Sequence, residues 1–89
     1  MHKHVLVTPL DTPHARLTAV ALRLPTPADK AAILAEVERT KAASDFARSA
    51  IMIARLADLP LDVVRKLAVR DARALTVAAT RLFCDAGMP

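Results

Sequence analysis

The chain has no tryptophan and no tyrosine, and only two phenylalanines, one cysteine and one glycine in its 89 residues. Each shortage excludes something. A phosphate-cradling loop or a dinucleotide fingerprint needs several glycines where backbone must approach a phosphate, so neither is present. Cys84 alone forms no intramolecular disulfide and no structural zinc site, and a reducing compartment fits this usage. No run approaches the ~20 apolar residues of a membrane span. The opening "MHKHVLVTPLDTPH" holds no apolar stretch of signal-peptide length. These features predict a cytoplasmic protein with no membrane partner.

Catalytic groups are equally sparse. The only serines are Ser44 and Ser49, and neither sits in a G-x-S-x-G turn. Ser44 reads as a helix cap, and Cys84, at the end of an amphipathic helix, as a small buried residue. His2 and His4 alternate, so one face of a strand can carry both. No cysteine or carboxylate is near them in sequence to complete a metal site, and they read as surface histidines at a frayed end. Asp58, Asp62 and Asp71 fall near helix starts, where a carboxylate offsets the helix dipole. No set of residues forms a catalytic constellation, so the sequence predicts no enzyme, no metal and no cofactor.

What is present is apolar and basic. Apolar residues make up 54 % of the chain, the formal net charge is +4 and the pI is about 10.0. Much of the apolar count is alanine, which buries little area, and a core so built in a short chain is marginal on its own. Self-association, or a partner that completes the core, is expected. The positive charge suits either nucleic acid or an acidic protein partner and decides neither.

The periodicities give an α+β order, predominantly helical, over one domain of residues 1–89. "HVLVT" at 4–8 is apolar and β-branched, with Pro9 expected to end it. "RLTAVALRL" at 16–24 alternates, with Thr18, Val20, Leu22 and Leu24 on one face. Turn residues Pro9, Asp11, Thr12 and Pro13 lie between, which predicts an N-terminal β-hairpin over 4–24. A lone hairpin is marginal, so it must pack on the helical part, 26–84. There, three or four short helices are expected. The first follows Thr26 and Pro27, with Asp29 placed for a capping box and an apolar stripe of Ile33, Leu34 and Val37. The second follows Ser44, with Phe46, Ala50, Ile53 and Ala57 on one face. Pro60 stops it and opens "PLDVVRKL". The last, about 70–84, sets Leu75, Ala78, Ala79 and Leu82 on one face, flanked by Ala72 and Phe83.

The exposed remainder supplies the candidate contact residues: Arg48, Met52 and Arg55 on the second helix, and Arg70, Arg73, Val77 and Arg81 on the last. Met52 lies between the two arginines on the wheel, where it is either a contact or a core residue of a helix covered on two sides. One reading of "RLADLPLDVVRKLAVRD" is a DNA-binding helix-turn-helix, with 46–57 as first helix and 61–70 as recognition helix. That helix would offer Arg65, Lys66 and Arg70 but no Asn, Gln or Ser to base edges, and its turn has Leu59-Pro60 instead of glycine. It is a poor reader of bases, and the sequence argues against nucleic acid.

The order of motifs resembles the small tail assembly chaperones of contractile-tailed phages. In that family a strand ending in a "TP" turn, here "VLVTPL" at 5–10, leads to a second strand. The strand-to-helix step "L-R-x-P-T-x-x-D" is matched by Leu22, Arg23, Pro25, Thr26 and Asp29. "I-x-x-L-x-x-L-P-x-x-x-x-x-x-L-x-x-x-D" is matched by Ile53, Leu56, Leu59, Pro60, Leu67 and Asp71, and Leu75, Val77 and Phe83 follow the terminal pattern loosely. The resemblance covers about residues 5–83. It departs where the family often has glycine, after Pro-Thr and before Leu-Pro; here Ala28 and Asp58 stand. The resemblance implies a non-enzymatic chaperone that binds the tape-measure protein during tube assembly, with the tail tube protein as a second candidate partner. It also implies action in the host cytoplasm, absence from the finished virion, and no catalytic or cofactor residues.

Overall fold

The computed structural model describes residues 2–88. Two strands, β1 (His2–Asp11) and β2 (Arg16–Leu22), form an antiparallel hairpin, and four helices follow: α1 (Pro27–Thr40), α2 (Asp45–Ala57), α3 (Leu61–Arg65) and α4 (Val69–Asp85). The α+β architecture is the expected one. α2 is central: β2, α1, α3 and α4 all pack on it, and β1 packs on α4. The core comprises Leu6, Val20 and Leu22 from the hairpin, Ala50, Ile53 and Leu56 from α2, Val64 and Leu67 around α3, and Ala72, Leu75, Ala78 and Ala79 from α4. Full burial of a residue such as Leu22, Ile53, Leu56 or Leu75 contributes about 1.5–3 kcal/mol. The alanines bring the helices close and add little area. Among the described residues, no helix is long and apolar enough to cross a membrane.

The hairpin departs from its expected outline at three points. Pro9 does not end β1, which runs on to Asp11. Pairing follows one register from His2↔Leu22 to Val5↔Ala19 and another from Leu10↔Leu17 to Asp11↔Arg16, so residues 6–9 face only Thr18. An irregularity of this kind is where a strand tolerates proline, because no ladder hydrogen bond is asked of it. The turn therefore shrinks to Thr12–Ala15, closed by the Thr12 amide on the Ala15 carbonyl at 2.9 Å and by the Thr12 hydroxyl. At the far end β2 stops at Leu22, not at residue 24. The Arg23 amide leaves the ladder to donate to the Leu56 carbonyl at 3.1 Å, and Leu24 is exposed.

Two carboxylates, Asp29 and Asp71, are the buried charged side chains among the described residues. Asp29 completes the expected capping box with Thr26, and it does more. Arg23 grips it through both terminal nitrogens, at 2.5 and 2.8 Å, and Arg55 Nε donates to it at 2.9 Å. Arg23 chiefly, with Thr26 and Arg55, holds the Asp29 carboxyl well below its ordinary range against the opposing cost of burial. Asp71 lies in the first turn of α4, as the sequence reading has it, but it is also fully buried and has a second role. It accepts from the Val7 amide at 2.8 Å, the Thr8 amide at 3.1 Å and His4 Nε2 at 2.9 Å. The amides freed by the β1 irregularity thus find their acceptor on α4. Burial pushes the Asp71 carboxyl up, and the Val7, His4 and Thr8 donors together outweigh it, so the net shift is downward. His4 is accordingly half-buried and engaged, not a frayed surface residue.

The helices end as their residues dictate. Asp58 closes α2 in the left-handed conformation, φ 54°, and Lys41 closes α1 at φ 52°. Asp58 stands where the resembling family often has glycine, and aspartate tolerates this region better than most side chains. The single glycine, Gly87, has φ 75° just past α4; its amide and that of Met88 satisfy the Cys84 and Phe83 carbonyls. Leu56 and Leu67 are buried and Leu59 packs beside them, so the Pro60 corner is a packed turn. The proposed 61–70 recognition helix does not exist. α3 ends at Arg65, and α4 begins at Val69, because Val64 and Leu67 both turn into the core. Cys84 is exposed, not buried.

Candidate functional site

Two helices that share a core through small residues leave a furrow between them. The N-terminal half of α2 and that of α4 do this, with α3 as floor. The groove has a volume of about 500 Å³. Phe46, Ser49, Ala50 and Ile53 line it from α2, Val64 from α3, and Val69, Ala72, Arg73, Thr76 and Val77 from α4, with Asp45 at one end. Phe46, Val69 and Val77 remain 53, 62 and 58 % exposed, so the groove presents uncovered apolar surface. Such surface makes the groove the candidate contact site.

The seven expected contact residues are not brought into one place. Arg73 and Val77 line this groove. Val77 also borders a hollow on the other side of α4, with Arg81, Leu82, His2 and His4. Arg70 is exposed on the same helix. Arg55 is committed to Asp29 and lines a separate hollow between α1 and α2, with Ile33, Ile51 and Leu61. Met52 is half-buried against the core. Arg48 lies outside the groove, donating to the Ala42 carbonyl at 3.2 Å and approaching Asp45 at 3.9 Å. The α2 part of the expectation thus fell on the face away from the groove.

Sequence reasoning missed Phe46 and Val69 as surface residues. Phe46 belongs to the face that buries Ala50 and Ile53, yet in the first turn of α2 it stays exposed at the groove. Val69 follows Ala68 and precedes Arg70 at a helix start, and no periodicity distinguishes it. The charge on the surface of segment 61–85 is lopsided. Among the described residues, Arg65, Lys66, Arg70, Arg73 and Arg81 form no ion pair. Also among them, no three histidine, cysteine or acidic side chains gather as a metal site would require.

Fold and groove together define a small α+β protein that offers an apolar, base-flanked surface. Over residues 3–83 the chain matches the model of a family described as phage tail assembly chaperone proteins, E, or 41 or 14, and it belongs to that family. No curated protein and no solved structure matches it.

Proposed function

We propose that the protein is a non-enzymatic chaperone that binds the tape-measure protein and keeps it soluble while the tail tube polymerises around it. It acts in the host cytoplasm and is absent from the completed virion. The observation that supports this is the α2–α4 groove: Phe46, Val69 and Val77 are apolar side chains held open on a rigid pair of helices, suited to reversible contact with an apolar client. Self-association belongs to the same reading. α1 has no buried apolar residue and leaves Leu34 exposed, a face that a second copy would cover.

Co-expression with the tape-measure protein tests the reading. The client is expected to move from the insoluble to the soluble fraction and to co-purify with the chaperone. A Phe46→Asp/Val77→Asp variant is expected to fold and to lose this effect, because both side chains are exposed. A client that stays as insoluble with the chaperone as without it ends the proposal.

A further inference from the structure

We infer that the α2–α4 groove takes an amphipathic helix of another protein, seated with an acidic flank along α4. This rests on the chaperone reading and adds the chemistry of what is bound. Segment 61–85 carries Arg65, Lys66, Arg70, Arg73 and Arg81 on its surface, against exposed acids Asp62 and Asp85 only, since Asp71 is buried. Four of these five cations are arginines, which bind carboxylates through two parallel hydrogen bonds. Arg73 is in the groove wall itself, Arg70 is exposed three residues before it on α4, and Arg81 borders the hollow on the helix's other side. From Val69 to Val77 the α4 wall of the groove rises about 12 Å, just over two turns. Val69 and Val77 bound that span, and Phe46 lines the groove from α2. A helix of at least two turns with an apolar stripe and glutamates or aspartates on one side matches the apolar lining and the Arg70–Arg73 pair. On the α2 side the groove ends at Asp45, so acidic residues there would be repelled, and the bound helix is oriented by sign.

The occupant is not a second copy of this chain. Among the described residues the one helix with an exposed leucine and unburied acids, α1, carries Glu36 and Glu38 but also Lys30 and Arg39, with Lys41 at its C-cap, and each copy has net charge +4. Nor does the groove suit a nucleic acid. A phosphate backbone would meet the arginines but leave Phe46, Val69 and Val77 without apolar contact.

The full chain is titrated, by fluorescence anisotropy, into labelled 18-residue helical peptides that share a leucine stripe and differ on one flank, glutamate or lysine. A 20-base-pair DNA duplex is titrated alongside. The glutamate peptide is expected to bind at least about tenfold more tightly than the lysine peptide and than the duplex, with affinity falling as salt rises. Arg70→Glu/Arg73→Glu is expected to reverse the peptide preference without moving the melting temperature, as both residues are exposed. Val77→Ser is expected to weaken the glutamate peptide. Equal binding of the two peptides, tighter binding of the duplex, or a preference unmoved by the charge reversal overturns the inference. So does a dimer in sedimentation that Val77→Ser dissolves, since the groove would then hold a second copy. A soluble tape-measure complex with no peptide preference sinks the inference alone; a peptide preference with an insoluble client sinks the chaperone reading.

Discussion

Asp29 and Asp71 are the same residue type, both buried, both hydrogen-bonded, and they do different work. Asp29 is surrounded by long side chains from β2's end and from α2, and the arginines holding it are themselves 33 and 44 % exposed. Asp71 is held by two backbone amides and a histidine of β1. The arginines can swing into water if their carboxylate is lost. The amides cannot move without the strand moving. The surroundings differ as well: Leu6 and Leu75 are buried beside the Asp71 contact, whereas Asp29 is the sole buried residue of α1. One carboxylate therefore joins two parts of a shared core, and the other pins a helix that has almost no core of its own.

This difference predicts unequal costs. Asp71→Ala leaves three donors without their acceptor and loosens β1 from α4. About 3 kcal/mol of global stability is expected to go, a large share of what a small domain has. Asp29→Ala is expected to cost about 1–2 kcal/mol, because Arg23 and Arg55 rehydrate. Its mark is local: α1 amides should exchange quickly with deuterium while those of α2 and α4 stay protected. Urea unfolding and hydrogen exchange on both variants measure this. Equal global losses, or α1 protection surviving in Asp29→Ala, would erase the distinction.

Both positions were legible in the sequence as residues and only one as a role. The capping box at Thr26 and Asp29 is local, three residues apart, so spacing reveals it. Asp71 meets Val7 and Thr8 across 64 and 63 residues. Nothing near Asp71 says that a strand irregularity will present two spare amides there, and a helix-start carboxylate reads by default as a dipole partner. The two motifs that carried the family resemblance nevertheless each end on one of these acids. The helices and their buried faces were readable because period and caps are local. The groove was readable only in part: the α4 stripe gave Arg73 and Val77, while Phe46 looked like core.

Acid should expose the pair together. Each carboxyl has a folded-state pKa below its ordinary value of 3.8. A depressed pKa contributes stability that is complete above the unfolded value and is lost as pH falls through the folded one. Wild-type stability attributable to these groups is thus expected to hold from neutral pH down to about 4 and to fall below it. Asp29→Ala and Asp71→Ala should each show a shallower acid loss than wild type. A variant that parallels the wild-type curve below pH 4 would mean that its carboxylate is not the group being titrated.

The smallest expected effect asks where the Asp29 cluster ends. Arg23 also points Nε at Asp58, 3.5 Å away, but Asp58's side chain is 75 % exposed. A pair so wetted contributes little. Asp58 meanwhile occupies a left-handed conformation at the end of α2, where glycine has no steric cost. Two small terms oppose each other: a weak ion pair lost and a strained backbone relieved. Strain relief is the larger, because solvent screens the charge and does not relax the backbone. Asp58→Gly is expected to be neutral or to raise stability by about 0.5 kcal/mol in urea unfolding. A loss above about 1 kcal/mol would instead place Asp58 inside the cluster that pins α1, and the contrast with the compact Asp71 contact would have to be redrawn around four charged side chains.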